Sequence, residues 1–183
     1  MILALCGPSQ IGKTYAKEAI LRHLEVRELR WYTTKLLEPD EPVGRHMDED
    51  QFARNVKSGK LVLIEEKDGY SYGFSKHDIV RNDVLFVTEM CPSMITEFKK
   101  VNPDIIAISF VTDSRPSGLD ILKSRLKKKS SSKTEFENSL LEAEKELEYA
   151  REHYDYFDVS VLVTEKNQKD INRTVLSLAA ALI

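Results

Sequence analysis

Positions 7–14 read Gly-Pro-Ser-Gln-Ile-Gly-Lys-Thr, a stretch that places two glycines, a lysine and a hydroxyl at fixed spacing. Glycines let successive backbone N–H groups turn inward around an anion, and a helix that starts at the last of these residues adds its positive end. A lysine directly after the second glycine reaches terminal phosphate oxygens, and the neighbouring hydroxyl is a hard ligand for a divalent cation. An apolar run at 2–6 precedes the stretch and helically spaced residues follow it, the setting such a phosphate loop needs. Gly7, Ser9, Gln10, Ile11, Gly12, Lys13 and Thr14 are therefore read as the phosphate-binding residues of a nucleoside triphosphate site. Thr14 is read as the Mg²⁺ ligand and Lys13 as a catalytic group.

The elements that must position this loop follow from the hydropathy pattern. Strand-like apolar runs occur at 2–6, 28–33, 60–65, 84–88, 105–111 and 159–163, separated by segments of helical period. Runs such as "DVLFVTE" and "DIIAISFV" are nearly continuous in apolar residues, as parallel strands covered on both faces are. The expected fold is α/β: a three-layer arrangement of the phosphate-loop NTPase kind with a central parallel sheet. Between 35 and 75 the character changes to a turn-rich loop, a short helix with acidic start and Gly stop, and a hairpin turning at Asp68-Gly69. This reads as an insertion carrying antiparallel strands. After residue 119, the serine-rich break "KKKSSSK" separates two helices and suits a lid, the second helix carrying Phe136, Leu140, Ala143, Leu147 and Ala150 on one stripe. The acidic residues between 135 and 152 read as that helix's exposed face.

The order of features along nearly the whole chain resembles the guanylate kinase family. "GPSQIGKT" is similar to its phosphate loop, "TTKLLEPDEPVGRHM" to its acceptor loop, and "DGYSYG" to its Gly-x-Tyr-Tyr-Gly turn. "LKSRL", the break after it and "ELEYA" resemble its lid and the helix that follows. The resemblance implies one domain over 1–183, with a core of 1–33, 76–122 and 153–183, a nucleotide-monophosphate-binding insertion at 34–75 and a lid at about 123–152. It implies a cytoplasmic transferase, monomer or homodimer, that moves the γ-phosphoryl group of ATP to a nucleoside monophosphate, GMP, with Mg²⁺. Such transfer is positioning and charge neutralisation. Carried over by position, Arg125 and Lys129 meet the ATP phosphates from the lid. Thr34, Lys35, Glu41 and Tyr72 serve the acceptor phosphate and its loop, Arg45 is read as an acceptor-binding residue that supplies charge from a different backbone position, and Glu65, with Glu66 as a close rival, faces guanine together with Glu89. Ionised carboxylates only accept hydrogen bonds, which suits the N–H edge of guanine.

Several positions depart from the family pattern. Lys35 and Glu38 stand where the acceptor loop has arginines, Met47 where it has a tyrosine, Phe74 where a serine or threonine lies near the base, and Ser139 where the lid has an arginine. Arg45, His46 and Arg54 are alternative sources of positive charge. Two other readings therefore stand beside GMP phosphorylation: a kinase with another acceptor, such as a ribose bisphosphate, and a binding module without turnover. The net charge of −3 excludes bulk electrostatic coating of nucleic acid or anionic membrane, and no apolar window approaches a membrane span. Cys6 and Cys91 show no metal or disulfide spacing and read as small buried hydrophobes in a reducing compartment.

Overall fold

The computed structural model describes residues 1–37, 44–67, 69–81, 83–113, 116–164 and 167–182. Glu38, Glu41 and Asp68 of the expectations above lie outside them. Strand β1 (Ile2–Cys6) is buried along its whole length, because a strand with helices on both faces has no polar side. Its alternate residues feed two cores. Leu3 and Leu5 join one with Ile11, Ile20, Leu122 and Val175, while Ile2, Ala4 and Cys6 join another with Phe86, Ile95 and Phe98. The molecule is thus layered helix, sheet, helix.

The central sheet has the order β2-β7-β1-β8-β9, formed by β2 (Arg27–Glu28), β7 (Phe86–Met90), β8 (Ile106–Thr112) and β9 (Val159–Val163) around β1, with every pairing parallel. On one face pack α1 (Lys13–His23), α5 (Pro116–Lys129), α6 (Lys133–Glu152) and α7 (Gln168–Ala180). On the other lie α3 (Lys76–Val80) and α4 (Ile95–Val101). No helix among the described residues is long and apolar enough to cross a membrane.

A second sheet, ordered β4-β3-β6-β5, carries β3 (Trp31–Thr33), β4 (Gly44–His46), β5 (Leu61–Lys67) and β6 (Tyr70–Ser75). The run at 28–33, expected as one strand, is divided between the two sheets. Leu29 N still donates to Val87 O on the central sheet, and two residues later the chain pairs with β6. Alternation of side chains continues through the break, so hydropathy could not reveal it. The sheet is also not wholly antiparallel as expected, since β3 and β4 run parallel. Helix α2 (Glu49–Lys57) is capped by Asp48, whose carboxylate accepts from Gln51 N at 2.8 Å, and has Glu49 and Asp50 in its first turn.

The serine-rich break is short and hydrogen-bonded. Ser130 Oγ donates to Leu126 O, the Ser131 hydroxyl and N–H both donate to Glu135, and Ser132 Oγ accepts from Glu135 N. It ends α5 and caps α6. The expected stripe on α6 is the one that packs, with Ala143, Leu147 and Ala150 buried.

Candidate active site

The loop after β1 turns back on itself through positive φ at Gly7 (152°), Gln10 (63°) and Gly12 (118°). At Gly7 an added Cβ would sit 2.8 Å from the Phe110 carbonyl oxygen, a main-chain contact that cannot yield, so only glycine fits. Gln10 holds the left-handed conformation in spite of its side chain, at a cost of about 1–2 kcal/mol. Arg125 on α5 braces that turn: its guanidinium donates to Gln10 O and Ile11 O, each at 3.0 Å.

Lys13 opens α1 and folds back over the loop, its ammonium donating to Gly7 O and to Pro8 O. Burial lowers its pKa from the usual lysine range, while Glu146 and Glu89 oppose that shift. One residue on, Thr14 Oγ1 donates to Glu89 Oε2 at 3.0 Å. The register Leu5↔Glu89 explains this meeting, because β7 lies beside β1 and both strands end at the loop. One helical turn beyond Lys13, Lys17 bridges Glu89 at 2.8 Å and Glu28 at 2.5 Å. Burial alone would pull the Lys17 pKa down, and the two carboxylates outweigh it, leaving the ammonium above its usual range.

Two cavities meet at this loop. The first, of about 730 Å³, is lined by Ser9, Gln10, Gly12, Lys13, Thr14, Tyr15 and Glu89, with Arg125, Lys128 and Lys129 from α5. Its charge is strongly positive. The second, of about 450 Å³, shares Ser9, Lys13 and Glu89 and opens toward the second sheet and α6. Trp31, Tyr72 and Phe74 form an aromatic wall there, Met90 and Met94 line it, and Glu65, Glu142 and Glu146 add carboxylates. Trp31 and Tyr72 lie tilted at 58° with ring centres 5.4 Å apart.

Of the residues read from sequence, Gly7, Ser9, Gln10, Gly12, Lys13, Thr14, Arg125 and Lys129 line one or both cavities, and Glu65, Tyr72 and Glu89 line the second. Ile11 is buried in the core behind the loop. A bulge in β5 brings Glu65, and not Glu66, to the cavity lining: the register shifts between Val62 and Glu65, Leu63 takes φ of 57°, and Glu65 falls opposite Tyr72 while Glu66 pairs with Ser71.

Thr34, Lys35 and Arg45 do not line the second cavity. Thr34 is engaged with Ser71, whose N–H donates to its Oγ1, and Lys35 N donates to Thr33 Oγ1. Arg45 is exposed, its guanidinium 5.8 Å from the centre of the Tyr32 ring and 3.3 Å from its hydroxyl. His46 and Arg54 are exposed as well, His46 bonding the Lys35 carbonyl. Met47 is buried with Phe52 and Leu61. Phe74 and Ser139, the other departures, both border the cavity.

Trp31, Met94, Lys17, Glu28, Glu142 and Glu146 were missed. Glu142 and Glu146 are four apart on α6, but Glu144 and Glu148 share that spacing and all were expected on an exposed acidic face; Glu146 is half-buried and Glu142 borders the cavity. Cys91 is likewise not the fully buried hydrophobe expected. It borders the same cavity, and burial together with Glu146, which accepts its hydrogen bond, pushes its thiol pKa up to about 12.

No family model matches the sequence, and no curated protein matches it. Solved structures do match the fold. A guanylate kinase from Anaplasma phagocytophilum superposes with a TM-score of 0.65 at 16% identity, covering 99% of this chain and 85% of that one. A shikimate kinase from Acinetobacter baumannii, in complex with shikimate, superposes with a TM-score of 0.54 at 13% identity, covering 98% of this chain and 93% of that one. The chain has the fold of the P-loop kinases.

Proposed function

We propose that this protein is an ATP-dependent phosphotransferase, with the triphosphate in the basic cavity and a small acceptor in the aromatic one. The observation that carries the reading is Lys13, which borders both cavities at their shared wall. A cation there faces the phosphoryl group on either side of its transfer. The triphosphate would draw Lys13 from the Gly7 and Pro8 carbonyls, and Arg125, Lys128 and Lys129 would neutralise charge along the same cavity.

Thr14 and Glu89 fit Mg²⁺, offering two hard oxygens 3.0 Å apart, and this ion takes one or two protein oxygens and leaves the rest of its shell to phosphate and water. When held by Thr14 and Glu89 it would supply positive charge to offset that of the triphosphate. Lys17 would hold Glu89 in place from the opposite side.

GMP is the acceptor to which the sequence resemblance points, and Glu65 supports it as an acceptor-only group opposite Tyr72, able to take the N–H edge of guanine. A binding module without turnover is the second reading, favoured by Ser139, which borders the acceptor cavity where the family has a lid arginine. One assay separates them: Mg²⁺-ATP with GMP, dGMP, AMP, UMP, CMP or ribose bisphosphate, followed by ADP release, with Lys13→Ala as the blank. Acceptor-dependent ADP that disappears in the blank supports the phosphotransferase. ATP binding with no release across every acceptor, including those named below, selects the module.

A further inference from the structure

The charge inside the acceptor cavity points away from a phosphate monoester. Among the described residues that line it, Lys13 is the one cation, and its ammonium is held by Gly7 O and Pro8 O at the wall toward the donor side. Four carboxylates face the same space, and the charge of one of them, Glu89, is met by Lys17 from behind. Among the described residues neither Glu65 nor Glu142 forms an ion pair. A dianion seated here would meet the like charge of Glu65 on β5 and Glu142 on α6. Arg45, the nearest arginine of the acceptor loop by sequence, lies on Tyr32 outside the cavity.

Aromatic residues line the same cavity, with Tyr72 the register partner of Glu65. Trp31 and Tyr72 are among them, residue types whose ring faces attract a cation, and about 450 Å³ suits a small molecule rather than a peptide or polynucleotide. Ring faces and carboxylates together recognise positive charge, and they do so within reach of the loop that would present the γ-phosphoryl group.

We infer that the acceptor is a small organic cation bearing a hydroxyl group, an amino alcohol in the broad sense. This rests on the phosphotransferase reading above and names the substrate class of its acceptor cavity. The hydroxyl oxygen forms the bond to the γ-phosphorus as the bond to the bridging oxygen breaks, and ADP leaves with that electron pair. The hydroxyl proton passes to a carboxylate of the cavity and from there to water. The products are ADP and a phosphate ester that retains its positive nitrogen, so that opposite charges on one small molecule replace the single positive charge that was bound.

Trp31 is the chain's only tryptophan and lines this cavity, so its emission reports occupancy directly. The full chain, with a non-hydrolysable ATP analogue and Mg²⁺, is titrated with choline, with its uncharged isostere 3,3-dimethylbutanol, and with guanosine and GMP. Choline is expected to bind about tenfold more tightly than the isostere, and GMP more weakly than guanosine. Glu142→Gln, an exposed change that leaves the fold intact, should reduce the choline preference severalfold. Equal affinity for choline and its isostere, or GMP binding as tightly as choline, overturns the inference. The underlying reading is checked separately: loss of nucleotide binding in Lys13→Ala together with ADP release supports phosphoryl transfer, and release with GMP alone keeps the kinase while overturning the cationic acceptor.

Discussion

The two cavities that meet at the phosphate loop share Ser9, Lys13 and Glu89 and are otherwise opposites. One is polar and lined by Arg125, Lys128 and Lys129 from the end of α5. The other is aromatic and carries Glu65, Glu142 and Glu146 from β5 and α6. Charge of opposite sign in two adjoining cavities is a sorting device: it favours a polyanion on one side of Lys13 and disfavours it on the other. Under the proposed phosphotransferase reading, a single loop would hold donor and acceptor in one orientation only, as phosphoryl transfer requires of a protein that contributes little covalent chemistry.

The contrast fails first if its shared wall is removed. Lys13→Ala deletes the cation common to both sides and is expected to weaken nucleotide binding about ten- to hundredfold, the equivalent of one charged hydrogen bond, measured with a fluorescent ATP analogue. Next is Lys17→Met, which leaves Glu28 and Glu89 facing each other without a cation in a largely shielded site, their side chains 20% and 21% exposed. A loss of about 1–3 kcal/mol in urea denaturation is expected, whereas Lys17→Arg should retain much of it.

A narrower change tests the sign of the acceptor side. Glu142→Arg replaces a carboxylate by a guanidinium at the cavity's edge, and GMP should bind about tenfold more tightly, with choline weakened by a similar factor; titration of Trp31 emission measures both. The smallest effect concerns Cys91. Its thiol, raised from 9.0 to about 12 by burial and by Glu146, is protonated at pH 8 and should alkylate far more slowly than a free cysteine. Because the folded form binds its proton more tightly than the unfolded chain, this thiol favours folding below about pH 9, and that contribution falls away as pH rises toward 12. Glu146→Gln should speed alkylation only severalfold, since burial is the larger cause; an unchanged rate would mean that the carboxylate exerts no field on the thiol.

Much of the donor side was legible in the sequence because it is local. Glycines, lysine and threonine at fixed spacing build one turn, and the residues that complete the turn are within one another's reach along the chain. Arg125 and Lys129 came from a resemblance rather than from spacing, and Arg125 proves to brace the loop's carbonyls at Gln10 and Ile11. The acceptor side was less legible. Thr34, Lys35 and Arg45 sit in the stretch that resembles an acceptor loop, yet backbone pairing and Tyr32 hold them away from the cavity. Glu142 and Glu146 are indistinguishable in sequence from the other acids of α6, and only the packing of Ala143 and Leu147 decides which acids turn inward.

From the sequence alone come the phosphate loop, the α/β alternation with its parallel sheet, and the inserted hairpin, all products of short-range spacing and of side-chain period. The tertiary structure decided where the chain leaves one sheet for the other near Leu29, that a bulge at Leu63 points Glu65 at Tyr72, and that Glu89 answers both Thr14 and Lys17. Those outcomes depend on strand register and helix rotation, which are set by contacts between residues far apart in the chain, so no local window contains them.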